Sequence, residues 1–398
     1  MIFNTWEFFV FVVPFFAVYA LLPRRLRGFG LITGGLVFYA ASGIAYTFLI
    51  VGVAVSTYTI ARRLARVPPE KRVERRALLT LGVGLNVGTL VYFKYTNFLL
   101  GAVSPILPKG FPHALTIVVP LALSFFTFEF IHFLVDVYLG KIALVEPKRF
   151  FEFALFYPTL VAGPIKRYQN FAPQADPIHR PHSLVVAAAV FRILSGLAKK
   201  TIIADSMTPL TQPLLAPLPL YSHLDYWFAL LAYTAKIYFD FSGYSDIAIG
   251  LAALMGFSIL ENFEAPYRSR NISEFWRRWH ISLSSWIRDY IFIPIGGSRQ
   301  SKPRTLVNLA VVMAVAGLWH GAAWHFMAWG LWHGAGLGIH RVWSSSPAAA
   351  LARQMRGIGT VYWAVTFLFV AFGWVLFASP TSASIRASFT ELLGGHAF

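Results

Sequence analysis

Apolar positions recur in blocks of membrane-spanning length, separated by short basic links. The first block, Met1 to Leu22, contains Glu7 and Pro14 and is followed by Arg24, Arg25 and Arg27. It has no basic stretch before it and no small-residue cleavage site, so it predicts a retained helix with its N-terminus outside the cytosol. Leu31 to Ile60 is long enough for two short passes that break near Ser42 and Gly43. The hairpin returns the chain to Arg62–Arg76, where seven Lys or Arg stand against two Glu, which predicts a cytosolic loop. Leu78 to Leu107 predicts a helix interrupted around Lys94, leading to an outside loop with Pro108, Gly110 and Pro112.

Leu115 to Leu139 predicts the returning helix. Glu129, His132 and Asp136 are three and four residues apart on it and share one face. That face is either a polar seam against neighbouring helices or a place for two metal ligands, with the seam favoured. Phe150 to Phe171 is short and broken by Pro158 and Gly163-Pro164, as in a re-entrant or interfacial segment. Val185 to Ile203 predicts a helix ending at Lys199-Lys200. Tyr226 to Phe257 predicts another, with Lys236, Asp240 and Asp246 at membrane depth. Both aspartates are expected to be structural, partnered by Ser242, Tyr244 and Ser245, because a buried carboxylate needs partners. Arg304 to Trp343 and Val361 to Phe377 complete the pattern. The expectation is an all-α polytopic membrane protein with about ten transmembrane or re-entrant helices. It forms one membrane domain over residues 1–398.

Composition sharpens the class. Of the 398 residues 57% are hydrophobic and 13% charged, and a soluble domain carries about 25% charged residues. The net charge of +17 fits basic loops that set topology and face anionic membrane lipid, so no nucleic-acid partner is expected. Cysteine is absent, which excludes disulfides, thiolate nucleophiles and cysteine metal sites.

Two stretches could carry chemistry. From Asn271 the chain reads as a capping box with Glu274, then a continuous amphipathic helix. Phe275, Trp279, Leu283, Trp286 and Tyr290 line its apolar face, and Arg277, His280, Ser284 and Arg288 share the other. Arg277 and Arg278 serve equally well as interface anchors or substrate contacts. His280 is either part of an active site or a satisfied structural histidine. The second stretch holds His320, His325 and His333. Gly317 and Gly321 flank His320 and allow close backbone approach or a broken helix. On one continuous helix Met313, Ala316, Trp324 and Met327 would share the His320 face, with His325 and His333 opposite. No metal site is therefore expected there, and no HExxH signature exists. A histidine inside a membrane is a functional candidate, and it can abstract a proton from a hydroxyl. Transfer of an acyl group from a thioester to an alcohol needs only such a base and donors for the oxyanion. Trp319, Trp324, His280 or a backbone N–H could supply those donors. Charged residues at membrane depth also suit a proton-coupled transporter, which is the alternative.

The stretches FYPTLVAGPIKRYQNF, YFDFSGYSDIAIG, ENFEAPYRSRNISEFWRRWHISLSSWIRDYIFIPIGGSR and GLWHGAAWHFMAWGLWHG resemble the membrane-bound O-acyltransferase (MBOAT) family. Within it they resemble the bacterial branch that acetylates alginate or transfers D-alanine to teichoic acid. The core motifs span residues 150–343 and weaker similarity covers nearly the whole chain. The resemblance implies a ring of helices around a central reaction tunnel. It implies His320 as catalytic histidine and His280 lining the same tunnel. Helix-face spacing beside them, not the resemblance, gives Arg277, Arg288, Ser284, Trp319 and Trp324 as the candidate substrate contacts. The resemblance implies no bound cofactor and a cytosolic thioester donor, either acetyl-CoA or an acyl carrier protein. The implied partners are an extracytoplasmic acyltransferase and polysaccharide export machinery, and the implied location is the bacterial inner membrane. Many relatives continue beyond the position of Phe398 with further membrane helices.

Overall fold

Helix breaks fall where the backbone leaves the helical region. The computed structural model describes residues 3, 5–106, 108, 114–143, 146–175 and 178–396. Gly110 and Pro112 of the expected outside loop lie outside the described residues. Among the described residues there is no β-strand, only an isolated bridge between Phe263 and Trp279. The fold is all-α, as expected. Among the described residues three helices are long and apolar enough to cross a membrane: Ile44–Arg66, Arg72–Ile106 and Ile358–Ala378.

The described chain divides into two compact units. The first comprises Met1–Leu197 and Tyr244–Leu260. It opens with α1 (Trp6–Leu21), α2 (Arg24–Ala40) and α3 (Ile44–Arg66). The expected break between the two short passes falls at Gly43, whose φ of 139° suits glycine. The interruption near Lys94 is a π-helical turn, Val91–Tyr95, between α4 (Arg72–Leu90) and α5 (Thr96–Val103). The next helix, α6, runs from Leu123 to Tyr138 and starts later than the sequence pattern predicts. Ala122 before it is left-handed, with φ 61°, and residues 114–120 are not helical. The segment after it is short and broken as expected: α7 (Pro147–Ala154), then single turns at Tyr157–Thr159 and Tyr168–Phe171. The unit's last helix before the division is α8 (Ser183–Leu197), and a π-helical stretch, Ala198–Ala204, carries the two lysines beyond it.

Aromatic side chains dominate the core of this unit. Phe38 stacks on Tyr157, and Phe133 and Phe150 pack at 4.9 Å between ring centres. On α8, Leu184, Phe191 and Leu194 are exposed instead, an apolar surface suited to lipid.

The expected polar seam is present. Lys166 donates to both carboxylate oxygens of Glu129 at 2.7 Å, and both residues are buried. His132 lies between the Phe128 carbonyl and the Tyr168 N–H, at 3.3 Å from each. Asp136 pairs with Lys141 at 3.0 Å and accepts from Gln169. Asp246 is paired as a structural carboxylate should be, yet its partner is Arg192, at 3.0 Å. The hydroxyls of Ser242 and Tyr244 find no hydrogen-bond partner among the described residues, so the expectation that they hold the aspartates is corrected. A cation from another helix neutralises the charge, which a neutral hydroxyl cannot do.

The second unit comprises Ala198–Gly243 and Glu261–Phe398. Helix α9 (His223–Leu254) runs from it into the first unit. Asp240 on its second-unit part pairs with Lys200 at 2.8 Å. Beyond a single helical turn at Gln212–Leu215, the described helices are α10 (Ile272–Arg278), α11 (Ile281–Ile287), α12 (Lys302–His320), α13 (Trp324–Ser344), α14 (Pro347–Ala352), α15 (Ile358–Ala378) and α16 (Ser382–Leu392). Helices α12 and α13 form a tight hairpin. A Cβ on Gly317 would overlap the Phe326 carbonyl oxygen, and one on Gly330 would overlap that of Met313. Those glycines let the two backbones touch.

Candidate active site

The amphipathic helix predicted from Asn271 onward is not continuous. The cap forms as expected on one side only: Asn271 Oδ1 accepts from the Glu274 N–H at 2.8 Å, while the Glu274 carboxylate takes the Arg270 N–H instead. The helix then stops at Trp279, and His280 adopts the left-handed conformation, φ 44° and ψ 54°. The cause is a pairing that local spacing could not reveal. Residues 262–264 run antiparallel to 278–281, with Glu264 N–H donating to Arg278 O and Ile281 N–H to Asn262 O, both at 3.0 Å. Buried Asn262 also accepts from the Ser282 hydroxyl at 2.6 Å. A left-handed backbone costs a residue with a Cβ roughly 1–2 kcal/mol, and such strain concentrates at functional sites.

The kink separates the four residues expected on one face. His280 turns inward and is 1% exposed, whereas Arg277 and Arg288 are exposed. Arg277 donates to the Ser273 hydroxyl at 3.3 Å, and Arg288 pairs with its neighbour Asp289 at 2.8 Å. The Ser284 hydroxyl donates to the Trp279 carbonyl at 3.1 Å. Neither Nδ1 nor Nε2 of His280 finds a hydrogen-bond partner among the described residues. Its ring meets the edges of Phe241, at 4.6 Å between centres, and Trp319, at 5.9 Å.

Trp319 joins the two candidate histidines. Its ring lies 4.8 Å from that of His320, the last residue of α12, and 5.9 Å from that of His280. The break that ends α12 at Gly321 realises the broken-helix alternative, so the face expected from a continuous helix does not exist. Trp324 starts α13 and is 59% exposed, outside the aromatic enclosure. His333, expected on the far side from His320, is brought back by the hairpin. Trp329 packs between them, 5.1 Å from His320 and 4.9 Å from His333. Both ring nitrogens of fully buried His333 lack a partner among the described residues. His325 does point elsewhere, with Nδ1 3.1 Å from the Leu376 carbonyl.

Aromatic packing fixes this enclosure. Trp374 stacks on Trp329 at 5.8 Å and donates its indole N–H to the Tyr267 hydroxyl at 3.2 Å. Phe377 closes over His320 at 5.1 Å. Asn262, Phe241, Trp329 and His333 are the parts that sequence spacing missed. A separate cavity of about 790 Å³ lies near the start of α10, lined by Arg270, Glu274, His340 and Tyr362, and neither His280 nor His320 lines it.

A pair of histidines on separate segments lies among indole and phenyl rings, in a helical chain with membrane-length apolar helices. The chain belongs to the MBOAT, membrane-bound O-acyltransferase family, whose description matches residues 137–379, and it is an acyltransferase. A probable alginate O-acetylase, AlgI, from Azotobacter vinelandii is 41% identical over 95% of this chain and 75% of its own length. A protein of the same description from Pseudomonas aeruginosa is 40% identical, over 95% of this chain and 72% of its own length. A peptidoglycan O-acetyltransferase from Helicobacter pylori is 33% identical, over 96% and 76% respectively.

Proposed function

We infer that this chain is a multi-pass protein of the bacterial inner membrane that moves an acetyl group from a cytosolic thioester towards a hydroxyl of an exported polysaccharide of the alginate type. The donor is acetyl-CoA or an acyl carrier protein. An extracytoplasmic acyltransferase and the polysaccharide export machinery act with it, in a single membrane domain whose helices ring a tunnel. The observation that carries the reading is the convergence of His280 and His320 on the Trp319 ring. His280 supports it further, because burying two unpartnered ring nitrogens and a strained backbone is unfavourable for folding alone.

His320 takes the proton from the acceptor hydroxyl as its oxygen attacks the thioester carbonyl carbon. The carbon–sulfur bond then breaks, the new ester keeps the acyl group, and the proton passes from His320 to the departing thiolate. His280 and the Trp319 indole are placed to orient the donor and steady the oxyanion. With no cysteine in the chain, the acyl group is not parked on a protein thiol. Arg277, Arg288, Ser284 and Trp324 are left with contacts to the donor outside the enclosure.

The test supplies purified protein in detergent with radiolabelled acetyl-CoA or acetylated carrier protein and a hydroxyl acceptor. Label should appear in an oxygen ester, and reconstituted vesicles should show no coupled solute flux. Solute flux without acyl transfer would overturn the reading.

A further inference from the structure

His223, Glu391 and His396 come together in the second unit although they span most of its sequence. One ligand atom from each can be chosen so that all lie within 4.8 Å of one another. His223 Nδ1 is 2.8 Å from Glu391 Oε2 and 2.9 Å from the Glu391 carbonyl oxygen, and the rings of His223 and His396 are 5.1 Å apart. We propose that these three residues bind a divalent transition-metal ion of the zinc type, a site independent of the acyl-transfer reading.

Two imidazoles and a carboxylate are a three-protein-ligand zinc set, whereas magnesium and calcium prefer oxygen ligands throughout. Zinc bonds of roughly 2.0–2.2 Å place tetrahedral ligands about 3.3 Å apart. The ion would take the place of the proton between His223 Nδ1 and Glu391 Oε2, which part by about half an ångström, while His396 closes in. Glu391 is anchored: it is buried, on α16. His396 is exposed. It also lines a polar cavity of about 680 Å³ with Thr381, Ser382, Ser384, Arg386 and Thr390. A fourth coordination position directed there would hold water or a ligand oxygen. The ion would clip α16 and the segment after it to the start of α9.

The test uses the full chain, freed of any purification tag and stripped with a chelator, titrated with Co²⁺ and Zn²⁺. One equivalent of Co²⁺ should give tetrahedral visible absorption, and Zn²⁺ should raise the thermal transition. Changes outside a zinc's ligand shell already lower affinity by 10- to 100-fold, so loss of a ligand in His396→Ala, His223→Ala or Glu391→Gln should cost at least ~10-fold. His396→Ala removes an exposed side chain and should fold normally, so it decides the matter if the others do not fold. Equal metal affinity in wild type and His396→Ala, or no stoichiometric binding by wild type, would overturn the site.

Discussion

The seam of Glu129, His132 and Asp136 and the enclosure of buried His280 and His333 with half-buried His320 both set titratable side chains inside the protein, and they end differently. In the seam each group is answered. Lys166 holds Glu129, Lys141 and Gln169 hold Asp136, and His132 bridges two backbone groups. A buried charge with good partners is locked in place, and breaking the pair costs more than the pair contributes. In the enclosure the neighbours are rings: Phe241 and Trp319 at His280, Trp276 and Trp329 at His333. The ring nitrogens of His280 and His333 are left without a partner among the described residues. Burial and residue type alone therefore do not foretell whether a histidine is hydrogen-bonded; its neighbours do.

Breaking the seam should have the largest effect on folding. Glu129→Gln leaves Lys166 as an unanswered buried cation, at a cost of about 3–5 kcal/mol. Size-exclusion recovery and the thermal transition in detergent should both fall sharply; an unchanged transition would mean the pair is not locked. In the enclosure, His280→Gly and His280→Ala should each lower acyl transfer about 10²-fold, the low end of what a positioned acid–base group supplies. Glycine releases the left-handed strain of roughly 1–2 kcal/mol, so His280→Gly should melt higher than His280→Ala. The opposite order would contradict the strained backbone. Gly317→Ala forces the hairpin apart against the Phe326 carbonyl and should cost about 1–3 kcal/mol, read in the same thermal transition. The smallest effect belongs to Asn271→Ala, which removes the cap of α10 for about 1 kcal/mol and should leave transfer nearly intact.

Local pattern in the sequence carried the break at Gly43, the interruption at Lys94 and the short segment after Glu146, because each depends on residues close in the chain. It carried the shared face of Glu129, His132 and Asp136 but not their partners Lys166, Tyr168 and Gln169, which are distant in sequence. It also carried His280 and His320 as candidates. It misplaced their surroundings for one reason: helical periodicity assumes a continuous helix. Asn262 breaks one at His280 from 18 residues away, and Gly321 breaks the other. The same assumption set His333 away from His320 and Trp324 beside it, and the hairpin overturns both. Arg192 as the partner of Asp246, and the meeting of His223 with His396, depend on tertiary packing and leave no local trace.

The most direct measurement sets His320→Ala beside His132→Ala, recording thermal transition and single-turnover acetyl transfer for both. General base catalysis supplies ~10² to 10⁴ in rate. The account predicts that His320→Ala keeps a near-normal transition and loses transfer by that factor or more. His132→Ala should lose its transition, with the molecules that remain folded transferring at close to the wild-type rate. Folded His320→Ala transferring within about tenfold of wild type would contradict the assignment of His320 as the base.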